Sequence, residues 1–130
     1  MPEDPQQPDQ DAVDLAHAMF DLARSGDTQR LAAYLDAGVP VDLTEANGNT
    51  LLMLAAYHGH AATVRALTER GADADGLNDK GQSPLAGAVF KGEEDVVRAL
   101  LAAGADPGAG APSARATAAM FGREDLIPPS

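Results

Sequence analysis

The sequence contains no cysteine and no tryptophan among its 130 residues. The absence of cysteine excludes disulfide bonds, thiolate catalysis and zinc sites with sulfur ligands. Aromatic residues make up only 4% of the chain although hydrophobic residues make up 45%, and much of the apolar fraction is alanine. A core of that composition is thin in any one layer. It favours closely spaced helices stacked in series within one domain over a single bulky globule.

Basic residues are also scarce: nine lysines and arginines stand against 20 acidic residues, for a net charge of −11. Such a field repels phosphate backbones and anionic lipids, so we expect neither nucleic acid nor a membrane surface as partner. No apolar run approaches the about 20 residues of a membrane-spanning helix. The first residues, MPEDPQQPDQD, are acidic and poor in apolar side chains, unlike a secretory signal. We therefore expect a cytoplasmic protein.

An internal repeat organises the chain. Residues 47–75 (NGNTLLMLAAYHGHAATVRALTERGADAD) align without a gap with residues 80–108 (KGQSPLAGAVFKGEEDVVRALLAAGADPG). Glycines recur at a spacing of 33 residues, Gly48 with Gly81, Gly59 with Gly92, and Gly71 with Gly104. A period of 33 is typical of a unit made of a turn and two helices. Thr50 and Ser83 are predicted to be N-caps of the first helix of each unit.

Both segments resemble the ankyrin repeat, whose pattern reads roughly G-x-T-P-L-H-x-A-A-x-x-G-H, then an apolar helix, then G-A-D. The resemblance implies an all-α solenoid of helix–turn–helix repeats with short turn or hairpin loops. Met53 and Ala86 replace the histidine of the family pattern, and Leu51 replaces its proline in the second repeat.

This resemblance suggests a division of the chain into one domain with two tails. An acidic tail, residues 1–10, is predicted to be disordered because it has too little apolar surface to bury. The domain is predicted to comprise three repeats, at about 11–44, 45–77 and 78–110, and a C-terminal half-cap, 111–127, before a short tail, 128–130. In the half-cap Arg115 takes the position of Leu52 and Leu85, so we expect that layer to be solvated.

Motifs for catalysis and metal binding are weak. The histidines are His17, His58 and His60, and the serines sit at predicted helix ends, turns or the tail, with no nucleophile elbow. The acidic stretch DADGLND lacks the glycine and the glutamate that a calcium loop needs at its sixth and twelfth positions. No phosphate-loop lysine follows the glycine-rich segments. We expect no catalytic residue, no metal and no cofactor.

The remaining function is binding. Proteins of this family use the loop tips and first helices of successive repeats as one concave face. Carried over residue by residue, the contact positions are Phe20, Arg24, Asn47, Asn49, Met53, Tyr57, His58, Asp79, Lys80, Gln82, Ala86, Phe90, Lys91, Met120 and Phe121. Four aromatics are predicted to align along this face, Phe20, Tyr57, Phe90 and Phe121. The alternative is that one or two of them, Phe20 foremost, fill space between repeats.

The resemblance thus implies a non-enzymatic interaction module that binds a partner protein as an adaptor or as a regulator. One alternative is a self-associating structural protein, because the short last repeat is predicted to leave Leu100, Leu101 and Leu126 partly uncovered. A second is a hydrolase on the same scaffold, for which the sequence offers no pair of nucleophile and base. We expect a monomer, with weak homodimerisation as the alternative. The sequence does not name the partner.

Overall fold

A computed structural model describes residues 10–128, and it consists of paired helices, as the sequence predicts. The helices are α1 (Gln10–Ser25), α2 (Thr28–Asp36), α3 (Leu51–Tyr57), α4 (Ala61–Glu69), α5 (Pro84–Lys91), α6 (Glu94–Ala102) and α7 (Ala114–Phe121), followed by a 3₁₀ helix (Glu124–Leu126). Most of both predicted tails lies outside the described residues. Gln10, expected in the N-terminal tail, is instead the first residue of α1. Within the described range, no helix is both long and apolar enough to cross a membrane.

Helices α3, α5 and α7 begin in the same way. The hydroxyl of the residue before each helix accepts a hydrogen bond from the backbone N–H three residues later. The pairs are Thr50 with Met53 (3.0 Å), Ser83 with Ala86 (3.0 Å) and Ser113 with Ala116 (3.1 Å). Each cap is worth about 1 kcal/mol, since it satisfies an amide that the helix itself leaves unpaired. The predicted caps Thr50 and Ser83 are confirmed.

Glycine ends the second helix of the second and third repeats. Gly71 and Gly104 have φ angles of +92° and +91°, in the left-handed region where a Cβ atom is unfavourable. The residue after each glycine donates its N–H to a carbonyl of the last helical turn, Ala72 to Leu67 and Ala105 to Leu100, both at 3.0 Å. These bonds close the helices in the manner typical of a C-terminal glycine. The 33-residue spacing therefore carries the same helix end from one repeat to the next.

The helices form two layers. Inner helices α1, α3, α5 and α7 pack side by side, and outer helices α2, α4 and α6 pack behind them. The core lies between the layers and is aliphatic; its largest fully buried side chains are Met19, Leu31, Leu51, Leu52, Val64, Leu67, Leu85, Val89, Val96, Val97 and Leu100. Alanines at the helix contacts, such as Ala55 and Ala88, are fully buried and let the backbones approach closely.

A side chain from each later repeat reaches back over the glycine that ends the preceding inner helix. His60 lies over Gly26 and places Nε2 2.7 Å from the carbonyl oxygen of Arg24. Arg123 lies over Gly92 and donates to the carbonyls of Val89, at 3.0 Å, and Phe90.

Glu93 occupies the same position over Gly59, where its carboxylate has no hydrogen to donate when ionised. The side chain over the glycine thus bonds a carbonyl at two of the three boundaries between repeats, and at the third it is a carboxylate.

The last repeat is short. Only α7 and the 3₁₀ helix cover α5 and α6, and Arg115 is exposed, as expected for a solvated layer. Ala114, Ala118 and Ile127 are nevertheless buried against the core. Leu100 is fully buried, so the expectation that it is partly uncovered is wrong; Leu101 and Leu126 are partly buried.

Candidate protein-binding face

Two loop tips project beside the inner helices and have the same hydrogen-bond pattern. In the second repeat the Glu45 N–H donates to the Asn49 carbonyl (3.0 Å), and the Asn49 side chain donates to Glu45 Oε1 (2.6 Å). In the third repeat Asn78 and Gln82, each 33 residues later, repeat the backbone bond (3.0 Å) and join their side chains (3.0 Å). The two tips therefore share the same backbone bond, whereas the side-chain bond has its donor and acceptor exchanged.

A chain of polar contacts connects the tips across three repeats. Arg24 of α1 donates to Glu45 Oε2 at 2.6 Å, and Glu45 accepts from Asn49 through its other oxygen. Asn78 in turn donates to Asn49 Oδ1 at 2.9 Å. Arg24 and Asn49 are among the predicted site residues, whereas Glu45 and Asn78 were not predicted. Their 33-residue spacing was the available signal.

A groove of about 390 Å³ runs between the loop tips and the inner helices α3 and α5. It is lined by Asn47, Asn49, Met53, Leu54, Tyr57, Asn78, Asp79, Lys80, Gln82, Ala86, Gly87, Phe90, Pro112 and Thr117. Met53 and Ala86 are buried and lie at its floor, whereas Asp79, Lys80 and Gln82 are exposed at its loop side. Most of the positions predicted for the second and third repeats thus come together at one concavity.

Along one side of the groove runs an aromatic ledge, which we define as the rings of Tyr57, Phe90 and Phe121 with the neighbouring Met120; Tyr57 and Phe90 also line the groove. The exposed fractions of Tyr57, Phe90, Phe121 and Met120 are 39, 47, 49 and 64%, high values for large apolar side chains. The rings of Phe90 and Phe121 meet edge to face with centroids 5.3 Å apart. The ledge residues lie on three consecutive inner helices, and the contact between Phe90 and Phe121 joins two of these helices.

Cations flank the ledge. Lys91 places Nζ 4.9 Å from the centroid of the Tyr57 ring, and the Arg123 guanidinium lies 5.8 Å from that of Phe121.

His58 meets Tyr57 edge to face at 5.7 Å. Burial, and then the positive charges of His60, Arg24 and Lys91, lower the pKa of His58 from its ordinary value of 6.5. Neutral imidazole is therefore favoured here at neutral pH.

Phe20 does not belong to the aromatic ledge, and the prediction that it is exposed on this face is wrong. Its side chain is only 5% exposed and belongs to the core. Phe20 lies 33 residues before Met53, whose position in α3 is also buried, because that side of each inner helix packs toward its neighbours. Arg24 is the residue of the first repeat that corresponds to Tyr57 and Phe90, and it is tied to Glu45.

His60 and the serines at the ends of the described helices make structural contacts. The Ser83 and Ser113 hydroxyls accept the capping bonds of α5 and α7, and Ser25 donates to the Leu22 carbonyl at 3.3 Å. His60 is held by the carbonyl of Arg24. Across residues 10–128, no group of three or more histidine and acidic side chains is arranged to hold a metal ion. The groove is lined by amide, aromatic and aliphatic side chains with one aspartate and one lysine, a set suited to binding.

Comparison with known proteins agrees with this architecture. The family described as ankyrin repeats in three copies has a sequence pattern that matches residues 19–111. A Pseudomonas aeruginosa protein named for its ankyrin repeats is 51% identical over 57 residues, which cover 44% of this chain and 33% of that protein.

Ankyrin repeat domain-containing protein 29 is similar over 58 residues, 44% of this chain in each case. The human protein is 47% identical and the Danio rerio protein 45% identical, with 19% and 20% of their lengths covered. The chain therefore spans a third or less of each of these relatives. The matched repeats cover most of its own length, and the paired helices follow the same period. This chain belongs to the ankyrin repeat family.

Proposed function

We propose that this protein binds a partner protein through the groove and the aromatic ledge, as a non-enzymatic adaptor or as a regulator of that partner. Ankyrin repeats are generally protein-binding modules and are typically non-catalytic. The observation that carries the proposal is the ledge itself, with four large apolar side chains exposed in a row across α3, α5 and α7. Clustered aromatic side chains of this kind dominate binding energy at protein interfaces.

The loop side of the groove supports the same function. Asn47, Asp79, Lys80 and Gln82 present polar groups opposite the ledge, so the concavity has one apolar and one polar wall. A protein segment carries both kinds of group, since its backbone needs hydrogen-bond partners and its side chains supply apolar surface. The remaining site positions are proposed as contacts on this basis, except Phe20, which contributes packing.

Affinity capture from a lysate of the source organism tests the proposal. The bait is the full chain, compared with the double variant Tyr57→Ala, Phe90→Ala. Each ring can contribute about 2 kcal/mol or more of binding, roughly thirtyfold in affinity, so the double variant should lose the captured partner. Both side chains are partly exposed, so the variant should keep its helical circular dichroism spectrum.

The matched control is Tyr34→Ala. Tyr34 lies on the outer helix α2 and is 41% exposed, so it tests loss of an exposed ring away from the groove. This variant should capture the partner as the unmodified chain does. A captured protein that binds the double variant and the unmodified chain equally would contradict the proposed face.

A further inference from the structure

We infer that the occupant of the groove is an extended acidic segment of a partner protein that also carries a bulky apolar side chain. This inference rests on the proposed function and specifies the chemistry of the partner. It follows from the distribution of charge around the groove and the ledge, which differs from that of the chain as a whole.

Three of the cations near the groove and the ledge form no ion pair, whereas Arg24 and most of the arginines elsewhere in the described chain do. Arg24, Arg30, Arg70 and Arg98 each contact a carboxylate within 4.0 Å. In the described part of the chain, Lys80, Lys91 and Arg123 form no ion pair. Lys80 lines the groove, and the other two cations lie over rings of the ledge. With acidic residues outnumbering basic ones twofold, carboxylates are abundant, yet none lies within ion-pair distance of these three.

The carboxylates nearest the face do not pair with these three cations. Glu45 is held by Arg24 and Asn49. Asp79 lines the groove, but its carboxylate lies against the backbone of Gly48. On α6, Glu94 pairs with Arg98, and Glu93 lies over Gly59. The ledge is thus flanked by cations that a carboxylate of a partner can pair with.

The net charge of −11 does not prevent such binding. At physiological ionic strength charges act over about 8 Å, so a bound segment responds to the cations beside it more than to distant carboxylates. An apolar side chain of the bound segment can pack on the ledge next to these cations. Because the groove lies open between loop tips and helices, an extended segment can enter it without deforming the fold.

A random 12-residue peptide library displayed on phage, selected on the immobilised full chain, tests this inference. Phage that also bind the Phe90→Ala variant are removed from the selected pool. The sequences that remain enriched are synthesised as free peptides. We expect enrichment of aspartate or glutamate beside phenylalanine, leucine or tryptophan. Replacing the acidic residues of an enriched peptide with the corresponding amides should weaken its binding. Raising the salt concentration should weaken the binding of the unmodified peptide.

Titrations with protein variants locate the contacts. Phe90→Ala should weaken binding roughly thirtyfold. Lys91→Gln should weaken it about two- to fivefold, the range expected for an exposed charge pair. The control is Arg65→Gln, because Arg65 is an exposed, unpaired cation on the outer helix α4, and its loss should leave the affinity unchanged.

The outcomes separate the inference from the proposed function. Basic or uncharged peptides that need Phe90 would overturn the acidic occupant and leave the binding face standing. Peptides that bind Phe90→Ala as tightly as the unmodified chain would overturn both. Failure to enrich any Phe90-dependent peptide would also overturn the inference. So would a homodimer in sedimentation velocity that Phe90→Ala abolishes, since the occupant would then be a second copy.

Discussion

The ammonium nitrogen of Lys91 lies 4.9 Å from the centre of the Tyr57 ring, so a side chain of the third repeat covers an aromatic ring of the second. A contact of this kind at an exposed site stabilises by about 0.5–1 kcal/mol. A double-mutant cycle with Tyr57→Ala and Lys91→Gln should give a coupling of that size in urea denaturation. The same cycle with Lys80→Gln should show none. A coupling of zero for Lys91 would mean that the contact does not stabilise the fold.

The ionisation of His58 should respond to the same lysine. Burial and nearby positive charges lower the pKa of His58 below 6.5, so the folded chain favours the neutral imidazole. Its contribution to stability is therefore present above about pH 6.5, the unfolded value, and declines as the pH falls below it. In an NMR titration, Lys91→Gln should raise the pKa of His58, because one repulsive charge is removed. Arg65→Gln should not change it, and an unchanged value in Lys91→Gln would contradict the assignment.

Two glycine substitutions should differ in cost although both place alanine at positive φ. Gly71→Ala has open space around the added Cβ, so only the left-handed conformation is penalised, by about 1–2 kcal/mol. At Gly26 the added Cβ would also lie within 3 Å of the His60 imidazole. Displacing that ring breaks its hydrogen bond to the Arg24 carbonyl, which lowers the unfolding free energy further, by about 0.5–1.5 kcal/mol.

Chemical denaturation measures this difference. Gly26→Ala should be the more destabilising of the two in the native background, and the excess should disappear when both are compared in a His60→Ala background. Equal costs in the native background would show that the imidazole moves aside without loss. A neutral Gly71→Ala would mean that this glycine does not terminate α4.

The position of Glu93 offers a stabilising substitution. His60 and Arg123 contact the carbonyls of Arg24 and Phe90. The 33-residue register makes the Tyr57 carbonyl the corresponding acceptor for the side chain at position 93, which lies over Gly59. Glu93→Gln supplies an amide donor there, worth about 0.5–1.5 kcal/mol if the bond forms. It also removes a negative charge that favours the N-terminus of α6.

The control for that second effect is Glu94→Gln, which removes a charge from the first turn of the same helix. The difference in unfolding free energy between the two variants should favour Glu93→Gln by about 0.5–1.5 kcal/mol. If Glu93→Gln is no more stable than Glu94→Gln in thermal and urea unfolding, the amide does not bond the carbonyl and Glu93 serves only the helix dipole.

The binding face could be predicted only in part. Asn47, Tyr57, Lys80, Gln82 and Phe90 lie at positions that the repeat register assigns to the concave side, and the structure brings them to one groove. The register alone did not say which of these positions is covered. Phe20 and Met53 occupy equivalent places, and both are buried, because coverage depends on how closely neighbouring inner helices approach.

The sequence by itself determined the repeat period, the N-caps at Thr50 and Ser83, and the glycine ends of the outer helices. These features depend on bonds and backbone angles within a few residues of one another, so the local sequence is sufficient to specify them. Only the tertiary structure decided that Lys91 covers Tyr57, that Phe121 meets Phe90, and that Arg24 reaches Asn78 through Glu45 and Asn49. Apart from the local bond between Glu45 and Asn49, those contacts join residues 21 to 34 positions apart along the chain, and they form only when stacking sets the distance between one repeat and the next.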